Sequence, residues 1–235
     1  MDWKRVLSSI GIKQKHDKRV NMLGTTESID IIENAVYAEL KPLGFRKHGR
    51  TLHRFVDGDI SQVINFQCGQ SYRDETHLMW VNIGIRVPEC ELRSFEGDEK
   101  PKKYYHEYEC SMRSRLGEVK GKKDTTYNLH GSSDEISADI LYQIKVCVLP
   151  AFDVLKDRRS ILEKRRKYKK FDTLNSHLIL LEEAMIHGRM GDIEKAGELF
   201  NIYYKKCKNK ISPHKAHLEY LEKLAAKLDI TLKDR

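Results

Sequence analysis

Residues 43–87 constrain the fold more than any other part of the chain, because segments of alternating polarity follow one another there with turn chemistry between them. They run from Phe45 to Val56, from Ile60 to Cys68 and from Leu78 to Val87. Alternation places residues i and i+2 on the same face of a β-strand. Asp57-Gly58 supplies the tolerance of positive φ that a hairpin turn requires. An antiparallel meander is predicted. Strand character returns at Cys110 to Val119 and at Thr125 to Leu129, separated by a lysine-rich stretch with Gly117 and Gly121, and the sheet then has five strands.

Helical periodicity surrounds this sheet. A first helix starts near Thr26 or Ser28, with Glu27 and Asp30 at its positive end, and carries Ile29, Ile32, Val36, Leu40 and Leu43 as one stripe that Gly44 ends. From Ser133 onward the pattern is helical: Ile136, Ile140, Ile144 and Val148 recur every four residues until Pro150 interrupts them. Glu89 to Lys103 mixes acids, lysines, Gly97 and Pro101, which reads as an exposed connection. A helical hairpin is expected around the Gly188-Arg189-Met190-Gly191-Asp192 turn. Leu178, Leu181, Ala184 and Met185 line one arm, and Ala196, Leu199, Phe200 and Tyr203 line the other. A further helix spans Pro213 to Leu228. The expected architecture is α+β: an antiparallel five-stranded sheet with helices packed on one face, then the C-terminal hairpin and the further helix. Residues 1–27 form a basic N-terminal segment, 28–155 the α+β domain and 156–235 a helical C-terminal region.

Composition narrows the class of protein. With 33% charged and 40% hydrophobic residues over 235 positions, the chain suits a soluble globular protein large enough for a substantial core. Met1 to Leu23 mixes aliphatics with lysines and lacks the apolar centre of a signal peptide, and no apolar run reaches membrane-spanning length, so a cytoplasmic location and no membrane partner are expected. The five cysteines, at 68, 90, 110, 147 and 207, include no pair at zinc or redox spacing. They read as reduced thiols, with Cys68 and Cys147 set in apolar segments. His214 and His217 share a helix face but lack a second ligand pair, so no metal and no cofactor are expected.

The meander also carries a resemblance. Leu43-Gly44-Phe45-Arg46-Lys47 followed by Gly49-Arg50-Thr51, then Val63-Ile64-Asn65-Phe66-Gln67 and Val81-Asn82-Ile83-Gly84-Ile85, resembles the bacterial family known as domain of unknown function 4304. Cys110 with Arg115-Leu116-Gly117 is similar to that family's later Cys and Arg-x-Gly pattern, and the helix ending near Leu149-Pro150 suits its closing segment. The resemblance covers roughly residues 28 to 155; near the last strand, where the family tends to place tryptophan, this chain has Thr126-Tyr127. It implies no activity and no catalytic residue. The hairpin resembles a single tetratricopeptide unit in the offsets of Ala184, Ala196 and Phe200.

Two surfaces are candidates for function. If Ile64, Phe66 and Cys68 face the helices, then Val63, Asn65, Gln67, Trp80, Asn82, Gly84, Arg86, Arg113 and Arg115 face away from them. The predicted binding residues are Gln67, Asn82 and Arg115, with Arg86 and Arg50 at the margins, because arginine forks and amides suit an anionic or planar ligand or a partner's acid. The alternative is that these groups simply solvate an open sheet face. The second surface is the run from Arg158 to Lys170, expected as a continuous helix, where Lys164, Arg165, Arg166, Lys167, Lys169 and Lys170 could meet phosphates. No nucleophile with a matched base stands out, although His106 and Cys110 lie close in sequence. The leading expectation is a cytoplasmic bacterial binding protein that acts by protein–protein contact, immunity-like in role. Self-association is one form of such contact. Nucleic-acid association through residues 156–170 is the alternative, and an enzyme on the polar sheet face is third.

Overall fold

A computed structural model describes residues 25–70, 77–91, 102–119, 121, 125–168, 178–210 and 214–233. Helix α1 (Thr25–Leu40) leads through a 3-10 turn (Lys41–Leu43) into strands β1 (Arg46–His48), β2 (Thr51–Val56), β3 (Ile60–Gln70) and β4 (His77–Arg86). Strand β5 (Met112–Arg115), the short helix α2 (Leu116–Val119) and strand β6 (Tyr127–Asn128) follow. The sheet is antiparallel in the order β1-β2-β3-β4-β5, and β6 pairs with β4 beyond the end of β5. The fold is α+β, as predicted.

The segment read as one strand from Phe45 to Val56 is two. Gly49, at φ 53°, reverses the chain so that His48 pairs with Thr51. A polarity pattern is unchanged by a two-residue reversal, so alternation alone cannot reveal it. Asp57 and Gly58 both adopt positive φ between β2 and β3.

Helix α1 buries Ile29, Ile32, Val36 and Leu40 against the sheet. Leu43 leaves that stripe and is 45% exposed, because the tighter turn at Lys41–Leu43 rotates it outward before Gly44, at φ 87°, ends the element. Helices α3 (Ser133–Gln143) and α4 (Leu149–Val154) flank a π-helical turn at Ile144–Val148, where the Leu149 N–H donates to the Ile144 carbonyl. Pro150 has no N–H and its ring crowds the preceding turn. The wider turn accommodates it without ending the helix. Ile140, Ile144, Val148 and Phe152 are all fully buried in the core shared with α1 and the inner face of the sheet.

The expected continuous basic helix is shorter: α5 (Arg158–Lys164) passes into a 3-10 turn at Arg165–Lys167. Asp157 caps it, its carboxylate accepting from the Ser160 N–H at 2.8 Å. Helices α6 (Ile179–Arg189), α7 (Ile193–Lys208) and α8 (Lys215–Lys227) surround a second core. Ala184 and Ala196 are buried where α6 and α7 approach, and Gly188 lies against Ala196. The two cores meet at α6, which sends Ile186 into the first and Leu181, Ala184 and Met185 into the second. Asn201 ties the C-terminal segment to α7, donating to the Thr231 carbonyl at 3.1 Å and accepting from the Lys233 N–H at 2.7 Å.

Candidate functional site: the outer face of the sheet

Strand register aligns Thr51, Asn65, Asn82 and Arg115 in one row across β2, β3, β4 and β5. This row is on the face opposite the helices. Asn82 donates through Nδ2 to Gln67 Oε1 at 3.0 Å and, more weakly, to Asn65 Oδ1 at 3.4 Å. Asn65 in turn donates to Thr51 Oγ1 at 3.0 Å. Trp80 pairs with Gln67 across the strands, and its ring lies over Gly69, where a Cβ would stand 3.0 Å from the indole. The Arg115 guanidinium is 5.6 Å from the Trp80 ring centroid. Gln67 is exposed, whereas Trp80 and Arg115 are half-buried. The structure therefore brings together Gln67, Asn82 and Arg115, with Trp80 beside them. An amide chain fixed by hydrogen bonds presents oriented dipoles, and an arginine next to an indole offers both a planar donor fork and apolar area.

The other half of this face is covered. Residues 102–110 form a strap across it, which corrects the expectation of an open face; Lys102 and Lys103, the described end of the expected exposed connection, are exposed. Arg86 is buried under the strap, its guanidinium 3.6 Å from the Tyr105 ring centroid and bonded to Glu91 at 2.7 and 3.0 Å. Gly84 is required for close approach: a Cβ there would sit 2.5 Å from Cys110 Sγ. Arg113 holds the strap through Glu107 at 2.8 Å, Tyr104 stacks on His48 at 3.5 Å between centroids, and Ser111 accepts from the Val87 N–H. His106 and Glu109 form a reciprocal capping box around the 3-10 turn Glu107–Glu109. Lys102, the His106 N–H and the positive charge nearby draw the Glu109 carboxyl below its ordinary range despite its partial burial. Arg86 thus belongs to the strap and not to the amide row.

Arg50 lies elsewhere. It accompanies Lys47 beside the buried Glu33 of α1, at 3.7 and 3.2 Å respectively, on the helix side of the sheet. Burial raises the Glu33 carboxyl pKa, and the two cations only partly offset this.

Three arginines of the basic run are engaged by acids. Arg165 is buried and paired with Glu182, Arg166 is bonded to Glu183, and Arg158 joins Glu89, Asp59 and Asp57. Lys164 is half-buried and Lys167 exposed, while Lys169 and Lys170 lie outside the described residues, as does most of the basic segment 1–27. Sequence reasoning missed the carboxylates that meet these arginines, since Glu182 and Glu183 read as polar positions of a different helix. An open cleft of about 470 Å³ lies nearby, lined by Asp59, Pro88, Glu89, Met185, Arg189 and Lys227 among others.

The Cys110 thiol and the His214 ring make local hydrogen bonds. The Cys110 thiol donates to the His106 carbonyl, not to its ring, and burial raises its pKa well above the ordinary thiol value. Cys90, Cys110 and Cys207 are buried, whereas Cys68 and Cys147 are half-buried. His214 caps α8, and among the described residues no group of histidine, cysteine and carboxylate side chains could hold a metal. No described helix is long and apolar enough to cross a membrane.

A meander backed by helices on one face and strapped by irregular chain on the other defines the class as α+β. Residues 36–154, just over half of the chain, match the family described as domain of unknown function (DUF4304), and the chain belongs to that family. No curated protein and no solved structure matches it.

Proposed function

We propose that this protein acts by protein–protein contact through the end of the outer sheet face that lies beyond the strap, with Gln67, Trp80, Asn82 and Arg115 as the docking residues. One observation carries this reading: a tryptophan and an arginine stand side by side next to an amide row held in place by its own hydrogen bonds. Tryptophan and arginine dominate the energetics of protein interfaces, and preorganised polar groups lose little freedom on binding. The guanidinium suits an acidic side chain of the partner. A bacterial cytoplasmic setting and an immunity-like role are consistent with a small binding protein whose cysteines are unpaired. A second copy of the chain is among the partners this face could take.

The test is affinity capture followed by quantitative binding of the captured protein to Trp80→Ala and Arg115→Ala. If Arg115 meets a buried carboxylate, its truncation should cost about 2 to 5 kcal/mol of binding. Both variants should retain the wild-type circular dichroism spectrum. Wild-type affinity in both folded variants would exclude this face. Sedimentation equilibrium of the same variants covers the case of a second copy.

A further inference from the structure

We propose that His53 is an acid-operated latch for the strap of residues 102–110: a proton on its buried imidazole releases the strap from the outer face of the sheet. The ring is only 4% exposed, and its Nδ1 is buried without a hydrogen-bond partner. The imidazole also hydrogen-bonds the backbone of Lys103, at the start of the strap. Tyr104 of the strap lies 6.4 Å from it, and Phe55 meets it edge-on at 5.9 Å. The ring is therefore enclosed partly by the segment it would release.

The surrounding charges leave a proton there uncompensated. On β1, Arg46 is the register partner of His53, and His48 stacks on Tyr104. On β3 the register partner is Val63, which is apolar and buried. The strap contributes Tyr104 and the Lys103 backbone; its His106 ring meets Tyr104 and Tyr108, and its carboxylates are engaged elsewhere, Glu107 with Arg113 and Glu109 with Lys102. Protonation would place an N–H on Nδ1 with no acceptor, and a cation beside Arg46. A buried group in that position gains by becoming exposed to water. The smallest movement that hydrates the ring is displacement of the strap, because the opposite side of His53 is the sheet itself.

The sign follows from linkage. Burial holds the docked imidazole below its ordinary pKa of 6.5; the hydrogen bond to the Lys103 backbone opposes this only in part, and Arg46 and His48 add to the lowering. The released ring binds protons better than the docked one, so the opening equilibrium rises as pH falls below about 6.5 and levels off below the docked pKa. One proton can change that equilibrium by at most about tenfold per pH unit. Release would uncover Val63, Gly84 and Arg86, which continue the surface next to Asn82. The latch does not depend on the binding role proposed for that surface.

Hydrogen exchange of the whole protein between pH 7.5 and 5.5, corrected for intrinsic exchange rates, tests the latch. Protection of the amides from Tyr105 to Cys110 should fall severalfold, up to about tenfold between pH 6.5 and 5.5, while those of Ile64, Val81 and Ile83 hold. His53→Gln keeps an N–H donor but cannot take the proton, and its strap protection should be flat with pH. Ring titration of the wild type by NMR gives a second readout independent of any variant: the His53 midpoint should lie below 6.5 and coincide with that of the strap signals. Protection that ignores pH in the wild type would overturn the proposal. So would an unchanged pH dependence in the Gln variant, which would move the sensor to His48 or His106.

Discussion

Glu182→Ala should be among the most damaging single substitutions in the chain, although it removes a charged residue. Glu182 and Arg165 each have 1% of their side-chain surface exposed, and they form an ion pair where α6 meets the turn after α5. Removing the carboxylate leaves a buried guanidinium without that counter-charge, and breaking a buried pair in this way costs about 3 to 5 kcal/mol. The neighbouring pair provides an internal comparison. Arg166 bonds Glu183, but the arginine is 59% exposed and water can replace the lost partner, so Glu183→Ala should cost no more than about 1 kcal/mol. Replacing both members of the buried pair by apolar residues, as in Arg165→Met with Glu182→Leu, should recover most of the loss, because no isolated charge remains. Urea denaturation followed by circular dichroism and by tryptophan fluorescence, in a Trp3→Phe background that leaves Trp80 as the emitter, gives the midpoints and shows whether the two cores unfold together. Equal losses for Glu182→Ala and Glu183→Ala would refute the argument from burial.

Gly84→Ala should destabilise the protein by about 1 to 3 kcal/mol through its collision with Cys110. Adding Cys110→Gly should relieve it, and thermal denaturation of the single and double variants measures both effects. Glu33 yields a pH prediction of definite sign. Its folded pKa is raised above 4.5, chiefly by burial, so the folded state binds the proton better and this group's stabilising contribution is lost as pH rises through the raised value. Glu33→Gln should flatten that part of the stability profile above pH 4.5, read from urea midpoints at successive pH values.

The faces of the central strands were legible because one-residue alternation maps directly onto geometry. Ile64 and Phe66 are buried toward the helices, and Asn65 and Gln67 are on the opposite face as their positions require. That same rule identified the row containing Asn82 and Arg115. It could not show that half the face is covered, because Lys102 to Cys110 has no period and its contacts with Arg86, Gly84 and His48 join distant positions. The basic run illustrates a related limit. A sequence displays charge but not its neutralisation, and Arg165 meets its carboxylate only after the chain has turned back into α6. Arg50 departs from the alternation for a third reason: it sits in the Gly49 reversal, where the two-residue rule no longer fixes the face, and it lies beside Glu33 on the helix side.

The π-turn at Ile144–Val148 bears on the meaning of a four-residue apolar repeat. An ideal α-helix advances about 100° per residue, so positions four apart drift by about 40° at each step. From Ile136 to Phe152 that drift would total about 160°, turning one end of the ladder toward solvent. Residues in a wider turn advance less, and the ladder winds back where it would otherwise have left the sheet. The isoleucine spacing and the wide turn are thus a matched set. A one-residue deletion between Ile144 and Val148 would therefore allow regular pitch and still leave Ala151 and Phe152 toward the core, because it removes about 100° of advance, close to what the wide turn absorbs.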